Sequence, residues 1–309
     1  MRLDTLGVDE SVSILFPPAA LADELAFLPV STTVVDGSGG ELHGCQAVVT
    51  FRHWDAYDDL AWVHSIQSGV DQFPFDRLRA ADVALTNSTG IHGDAIGEAV
   101  ASYALAFSRR LHEHVANQQD ATWSPPEWDE AWTVHGERAC VLGLGTLGRG
   151  VVDRLTGLGV EVTGVRRTAT PEPGVETVYT PAKLETAVSD ARFVVAAVPL
   201  TDDTRGLIDA DVLAAMREDA YLINVARGAV VDQSALIDAV NGGSIAGAAL
   251  DVFETEPLPE SSPLWGMDEV IVSPHCAGFT DRYHEHVGSI VAENVDRIRA
   301  DEDLLNRVV

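Results

Sequence analysis

Three polar side chains in this chain each follow a run of apolar residues, and together they suit one kind of reaction. Arg227 lies in INVARGAVV (223–231), Glu256 in ALDVFETEPLP (249–259) and His275 in VIVSPHCAG (270–278). A guanidinium can grip a carboxylate through two parallel hydrogen bonds and polarise an adjacent carbonyl. An imidazole can give the carbonyl oxygen a proton as hydride reaches the carbon. A carboxylate on the other ring nitrogen fixes the tautomer and favours the protonated ring. Each residue also admits a bland role: Arg227 in a surface ion pair, Glu256 as a turn before Pro257, His275 as a core residue after Pro274.

The hydride carrier is indicated by Cys140 to Arg167, CVLGLGTLGRGVVDRLTGLGVEVTGVRR. An apolar run ends in Gly143-Leu-Gly145-Thr-Leu-Gly148, a helix-compatible segment follows, and a second apolar run begins at Val160. This strand–turn–helix–strand order is the context in which GxGxxG marks a dinucleotide site. The first glycine allows the turn, the second lets the backbone approach a pyrophosphate, and the third lets the helix pack on the strand. Amides at the helix start, around Thr146 and Leu147, hold the anion. About 20 residues past the motif, where an acid would bind the ribose hydroxyls of NAD, stand Arg166 and Arg167, followed by Thr168. Arginines there suit a 2′-phosphate, so NADP(H) is the expected cofactor and NAD(H) the alternative. Solvated loop charges are the structural alternative.

These groups need a scaffold that brings strand ends together. From Arg138 to Cys276 the pattern alternates strands and helices, with later strands at Phe193–Val198, Ala220–Val225, Ala246–Leu250 and Val270–Ser273. That predicts one doubly wound parallel sheet, with the three polar groups beyond its C-terminal strand ends. Residues 1 to about 88 read as shorter α/β units, with strands at Ser11–Phe16, Ala47–Phe51, Trp62–Gln67 and Val83–Thr86 and a helix from Ala19. The third of these strands ends at Ser68-Gly69-Val70, a loop placed where open sheets take ligands. Phe51, Arg52 and His53 follow another strand and are expected near the substrate. Residues 94–119 predict one long alanine-rich helix linking two domains. Trp123 to Trp132 predicts a loop whose tryptophans either face a partner or fold back on the chain.

Composition narrows the class. The chain has 309 residues, enough for about two domains, and 46% are hydrophobic. Formal net charge is -28, with Lys183 as the only lysine among 20 basic residues. Acid in excess with arginine in place of lysine predicts a protein of a salt-accumulating cell. At 1 M salt the screening length is about 3 Å, and such a surface is tolerable. An acidic surface argues against nucleic acid. Met1 to Glu10 lacks the basic start and apolar core of a signal peptide, and no apolar run is long enough to span a bilayer, so a high-salt cytoplasm is the expected location and no membrane partner is expected. Cys45, Cys140 and Cys276 are far apart and show no metal spacing. Cys140 reads as a small buried residue, and nothing near Cys276 predicts an activated thiolate. The His112/His114 and His284/His286 pairs sit at i, i+2, which faces helical neighbours apart, so no metal site is expected.

The segments GLGTLGRG, VPLTDDTRGLID, LINVARGAVVDQSALIDAV, GAALDVFETEPLP and SPLWGMDEVIVSPHCAG resemble the D-isomer-specific 2-hydroxyacid dehydrogenase family. The likeness is close from Ser68 to Gly278 and loose before that. It implies an α/β fold of two Rossmann-like domains: a dinucleotide-binding domain over 91–277, and a smaller flavodoxin-like substrate domain from 1–90 plus 278–309, with a cleft between them that closes on substrate. It implies reversible hydride transfer between a nicotinamide cofactor and a 2-oxo carboxylic acid, with Arg227, Glu256 and His275 catalytic. Backbone amides at Ser68, Gly69 and Val70 would hold the substrate carboxylate. Val198, Pro199 and Thr204 would flank the adenosine and phosphates, and the Ala226 carbonyl, Asp251 and Gly278 would meet the nicotinamide end. Asp251 also has a plainer role closing the turn after its strand. The resemblance further implies a homodimer through the cofactor domain. Formate dehydrogenases, which carry glutamine where Glu256 stands, fit poorly. The competing class is an NAD(P)-sensing, corepressor-like binding protein of the same fold, which can retain the whole triad. The substrate side chain is not legible: glyoxylate, hydroxypyruvate, pyruvate and branched 2-oxo acids all remain open.

Overall fold

The computed structural model describes residues 3–309, so the expectation for the Met1–Glu10 start lies partly, at Met1 and Arg2, outside the described residues. The chain divides into two compact units, Met1–Ile91 with Phe279–Val309, and His92–Gly278. Each junction falls one residue beyond the expected 90/91 and 277/278 boundaries. At one of them Gly278 belongs with the second unit, because its backbone lies against the His92 ring and Ile96 at the start of that unit's first helix.

The first unit contains β1 (Thr5–Asp9), α1 (Pro18–Glu24), β2 (Ser31–Val35), β3 (Ala47–Thr50), β4 (Trp62–Ser65), α2 (Phe75–Ala80) and β5 (Ala84–Asn87). Its five strands are parallel in the order β2-β1-β3-β4-β5, the flavodoxin-like arrangement. Strands β3, β4 and β5 are buried along their whole length, as sheets covered on both faces must be. The expected strand at Ser11–Phe16 is corrected. The strand is β1, earlier in the chain, and Glu10–Ile14 forms a 3-10 turn because the Asp9 carboxylate accepts from the Ser11 amide and caps it. β2 escaped sequence reading because its alternation is weak.

One buried histidine organises this sheet. The Trp62 indole donates to Thr86 Oγ1 at 2.8 Å, Thr86 meets His64 Nδ1 at 2.8 Å, and His64 Nε2 meets Ser88 Oγ at 3.0 Å. Ser88 spends its proton on the Ser65 carbonyl, so His64 must donate from Nε2 and accept at Nδ1. The Ser88 carbonyl in turn accepts from the Ser68 hydroxyl, and Asn87 Nδ2 donates to the Ser68 carbonyl at 2.7 Å. The buried network thus shapes the Ser68–Val70 loop.

The second unit opens with α3 (Gly93–Ser108) and α4 (Leu111–Gln119). The single long helix expected over 94–119 is therefore two. Arg110 takes a left-handed backbone, φ 54°, between them, and α4 buries none of its residues. α3 begins just past the boundary between the units and packs on α5 of the second. There follow β6 (Arg138–Leu142), α5 (Thr146–Gly157), β7 (Glu161–Val165), β8 (Val178–Tyr179), α6 (Leu184–Val188), β9 (Phe193–Ala196), α7 (Ala210–Ala215), β10 (Tyr221–Asn224), α8 (Gln233–Asn241), β11 (Gly247–Leu250) and β12 (Val270–Val272). The seven strands are parallel, in the order β12-β11-β10-β9-β6-β7-β8. This is the doubly wound sheet, reversing between β6 and β9, where such folds bind ligands. Gly97 on α3 and Gly150 on α5 bring the two helices to backbone contact, which any side chain would block. The last helix, α9 (Tyr283–Ala300), returns to the first unit, where Tyr283, Val287, Val291, Val295 and Ile298 pack into its core.

Candidate active site

The glycine loop joins β6 to α5. Gly143 has φ +95°, and a Cβ there would meet the Ala197 carbonyl oxygen at 2.6 Å and Val198 at 2.9 Å. At Gly148 a Cβ would collide with the Gly143 carbonyl, so only glycine closes the turn. Gly145 faces open space and precedes Thr146, the first residue of a 12-residue helix that lacks a side-chain cap. Uncapped first-turn amides beside open space suit a diphosphate, and the residues present therefore fit a dinucleotide. Leu147 packs its side chain on the neighbouring core. Val198 and Pro199 follow β9, and the Thr204 hydroxyl donates to the Pro199 carbonyl at 2.6 Å, tying off that loop.

Arg166 and Arg167 follow β7 directly. Arg166 is not a loose loop charge. Its guanidinium pairs with Glu172 at 2.9 Å and donates to the carbonyls of Thr168 and Thr170. Glu172, whose side chain is 12% exposed, also pairs with Arg149 of α5 at 3.0 Å. Arg167 and Thr168 are exposed beside it. Glu172 is not legible in the sequence, because an acid six residues past an arginine carries no motif.

The polar groups expected to converge do so around the ends of β10, β11 and β12. His275 Nδ1 lies 2.7 Å from Glu256 Oε2, and Glu256 Oε1 accepts from the Phe253 amide at 3.0 Å. Burial alone would raise the Glu256 carboxyl. The hydrogen bonds from His275 and the Phe253 amide, with the charges of His275 and Arg227, outweigh it and hold the group below its ordinary value. Arg227 extends from the end of β10, and its Nη1 donates to the Ala226 carbonyl at 2.8 Å. Gly228 lets the loop after β10 lie on the loop after β11, since any Cβ there would strike the Phe253–Glu254 backbone. The arginine–glycine pair in the sequence was the available signal for it.

Asp251, only 2% exposed, sits under the histidine loop. Oδ1 accepts from Ser273 Oγ at 2.7 Å and from the Cys276 amide at 2.9 Å, and Oδ2 accepts from the Ala277 amide at 2.9 Å. Burial and the Asp251 charge push the Cys276 thiol up, the opposite of activation. Burial carries the Cys140 thiol up to about 12. All three cysteines are free.

Of the residues expected near substrate in the first unit, Arg52 stacks over Phe51 and Trp54. The expectation for His53 needs revising. Its ring is 10% exposed, packed edge-on against Tyr57 and Phe73 and 3.7 Å from Asp58, so it belongs to the packing of its own unit. Among the described residues no group of three or more His, Cys, Asp or Glu side chains is arranged to hold a metal, and no helix is long and apolar enough to cross a membrane.

Residues 101–277 match the family described as "D-isomer specific 2-hydroxyacid dehydrogenase, NAD binding domain". A glyoxylate reductase of Thermofilum pendens is 33% identical over 78% of this chain and 72% of its own length. A glyoxylate/hydroxypyruvate reductase B of Serratia proteamaculans is 32% identical over 88% and 83%. Among solved structures, a D-isomer specific 2-hydroxyacid dehydrogenase of Xanthobacter autotrophicus Py2, in complex with NADPH and MES, superposes with a TM-score of 0.83 at 30% identity, covering 100% of this chain and 98% of that one.

Proposed function

The chain belongs to the D-isomer-specific 2-hydroxyacid dehydrogenase family and is an NAD(P)-dependent oxidoreductase acting on 2-hydroxy acids; from that premise we propose that it interconverts a small 2-oxo acid and its D-2-hydroxy acid, with NADP(H) preferred and His275 as acid and base. The observation that carries this reading is the 2.7 Å contact between His275 Nδ1 and Glu256. With Nδ1 committed to a carboxylate, Nε2 is the atom left to exchange a proton with the substrate oxygen. The bound nicotinamide supplies or takes up the hydride. Arg227 binds the substrate carboxylate and orients the carbonyl.

Gly143, Gly145, Thr146, Leu147 and Gly148 hold the diphosphate. Val198, Pro199 and Thr204 flank the adenosine side. The Ala226 carbonyl, Asp251 and Gly278 meet the nicotinamide end. Arg166, Arg167 and Thr168 receive the 2′-phosphate, a preference supported by the position of the two arginines past β7 and by the NADPH complex of the Xanthobacter relative. The names of the Thermofilum and Serratia relatives support glyoxylate and hydroxypyruvate as the first substrates to try.

A homodimer through the second unit is part of the same reading. Trp123 and Trp128 are 97% and 96% exposed, and Leu111 and Val115 of α4 are exposed beside them in sequence, an apolar surface that isolated chains rarely carry. The acidic surface supports a halophilic protein of a high-salt cytosol.

The test is steady-state loss of NADPH or NADH absorbance with glyoxylate, hydroxypyruvate, pyruvate and a branched 2-oxo acid, in concentrated salt. Turnover with at least one, faster with NADPH, is expected. Silence with all four would favour the nucleotide-sensing binding protein. Arg166→Asp should cut NADPH use by about tenfold or more relative to NADH; an unchanged ratio rejects the 2′-phosphate role.

A further inference from the structure

We propose that Tyr103, acting through Ser273 and Asp251, is a positioning residue for His275. The inference rests on the acid–base reading of His275 and concerns a residue of α3 that is 170 positions away from the loop it holds.

His275 has a backbone φ of +51°, a region that non-glycine residues seldom enter and that surrounding contacts must enforce. Several of those contacts trace to Asp251. The Asp251 carbonyl accepts from the His275 amide at 2.8 Å. Its carboxylate accepts from the amides of Cys276 and Ala277 and from the Ser273 hydroxyl. One buried residue at the end of β11 therefore holds the amide of the histidine and the two amides that follow it.

Ser273 is one of three groups that orient that carboxylate, and Ser273 is in turn tied to Tyr103. The Tyr103 hydroxyl lies 2.7 Å from Ser273 Oγ. Ser273 has one proton and gives it to Asp251 Oδ1, so Tyr103 must be the donor in the upper link. Burial, outweighing the Ser273 hydrogen bond, raises the Tyr103 phenol, and the Asp251 charge pushes the same way. The phenol thus keeps its proton throughout the working range. The chain of donation runs one way, from Tyr103 to Ser273 to Asp251, and ends on a carboxylate whose other partners are the amides of the two residues after His275. Removing the first donor leaves Ser273 held by Asp251 alone and loosens the loop, while the glycine turn and the β7 arginines are untouched.

The experiment uses the full-length protein and three variants, Tyr103→Phe, Ser273→Ala and Ser273→Thr. Two readouts are taken: kcat and KM for reduction of the best 2-oxo acid, and amide hydrogen exchange at residues 275–277. Tyr103→Phe and Ser273→Ala should lower kcat by about tenfold to a hundredfold, as small misplacements of a reacting group do, with KM for the cofactor within about twofold. Exchange at Cys276 and Ala277 should accelerate by about tenfold, with distant amides unchanged. Ser273→Thr keeps the hydroxyl and should restore both. Unchanged exchange in a folded Tyr103→Phe protein overturns the proposal, as does a kcat loss matched by an equal change in cofactor KM, or no rescue by threonine. Should the unaltered protein turn over no 2-oxo acid, the acid–base reading fails by itself, and the exchange measurement still decides whether Tyr103 holds the loop.

Discussion

Glu256 and His275 form a hydrogen-bonded pair that favours the charge on the carboxylate. The carboxyl of Glu256 is pushed up by its burial but pulled down further by the His275 and Phe253 hydrogen bonds and by the charges of His275 and Arg227. A carboxyl held low in the fold contributes stability above its ordinary value, and loses that contribution as pH falls through the lowered one. The pair therefore persists into mildly acid solution. In the proposed reaction Glu256 holds the His275 ring through Nδ1, so Glu256→Gln should lower kcat by about a hundredfold. Steady-state kinetics with the best 2-oxo acid check this, and an unchanged kcat would show that the carboxylate does not serve the histidine. The residue types at 227, 256 and 275 were legible in the sequence because each follows an apolar run in a short recognisable segment. The hold of Glu172 on Arg166 and of Asp251 on residues 273–277 was not, because those partners share no spacing rule.

At the level of elements, β4 carries the clearest thermodynamic consequence. His64 is wholly buried, and desolvation lowers its pKa from 6.5 to about 3. The unfolded chain binds this proton first, so the stability that depends on a neutral His64 is intact above about pH 6.5 and is lost progressively as pH falls from there toward 3. The slope is about 1.4 kcal/mol per pH unit. Between pH 7 and pH 5 the unaltered protein should lose about 2 kcal/mol more than His64→Gln in urea unfolding at constant salt. Equal losses would mean that the ring is not held neutral. Most strands were legible because buried parallel strands are short apolar runs. Two features were not. The Asp9 cap shifted the first strand upstream of the apolar stretch at Ser11–Phe16, and the left-handed residue Arg110 split a helix that alanine content predicts as one. Both depend on single backbone angles that helix propensity does not record.

For the whole molecule the governing quantity is a formal net charge of -28 on 309 residues. Surface arginines are largely engaged, as where Arg154 pairs with Asp94 at 2.8 Å and Arg297 with Glu293 at 2.7 Å, so most of the surplus acid is left to solvent and counterions. At 1 M salt these charges are screened within about 3 Å, and at 0.01 M within about 30 Å. Melting temperature should therefore fall by about 10 °C or more on desalting, a change of a few kcal/mol for a chain of this size. A melting curve indifferent to salt would remove the halophilic reading. The amino-acid order alone determined the α/β class, the glycine turn and the surplus charge, and pointed to Glu256 beside His275, because apolar periodicity and turn chemistry act between neighbours. Only the tertiary structure decided which further groups meet: Arg166 with Glu172, Asp251 with Ser273, and Tyr103 with Ser273. Those meetings require the chain to return on itself over distances that reach 170 residues, and they are set by how strands and helices pack, which no local spacing encodes.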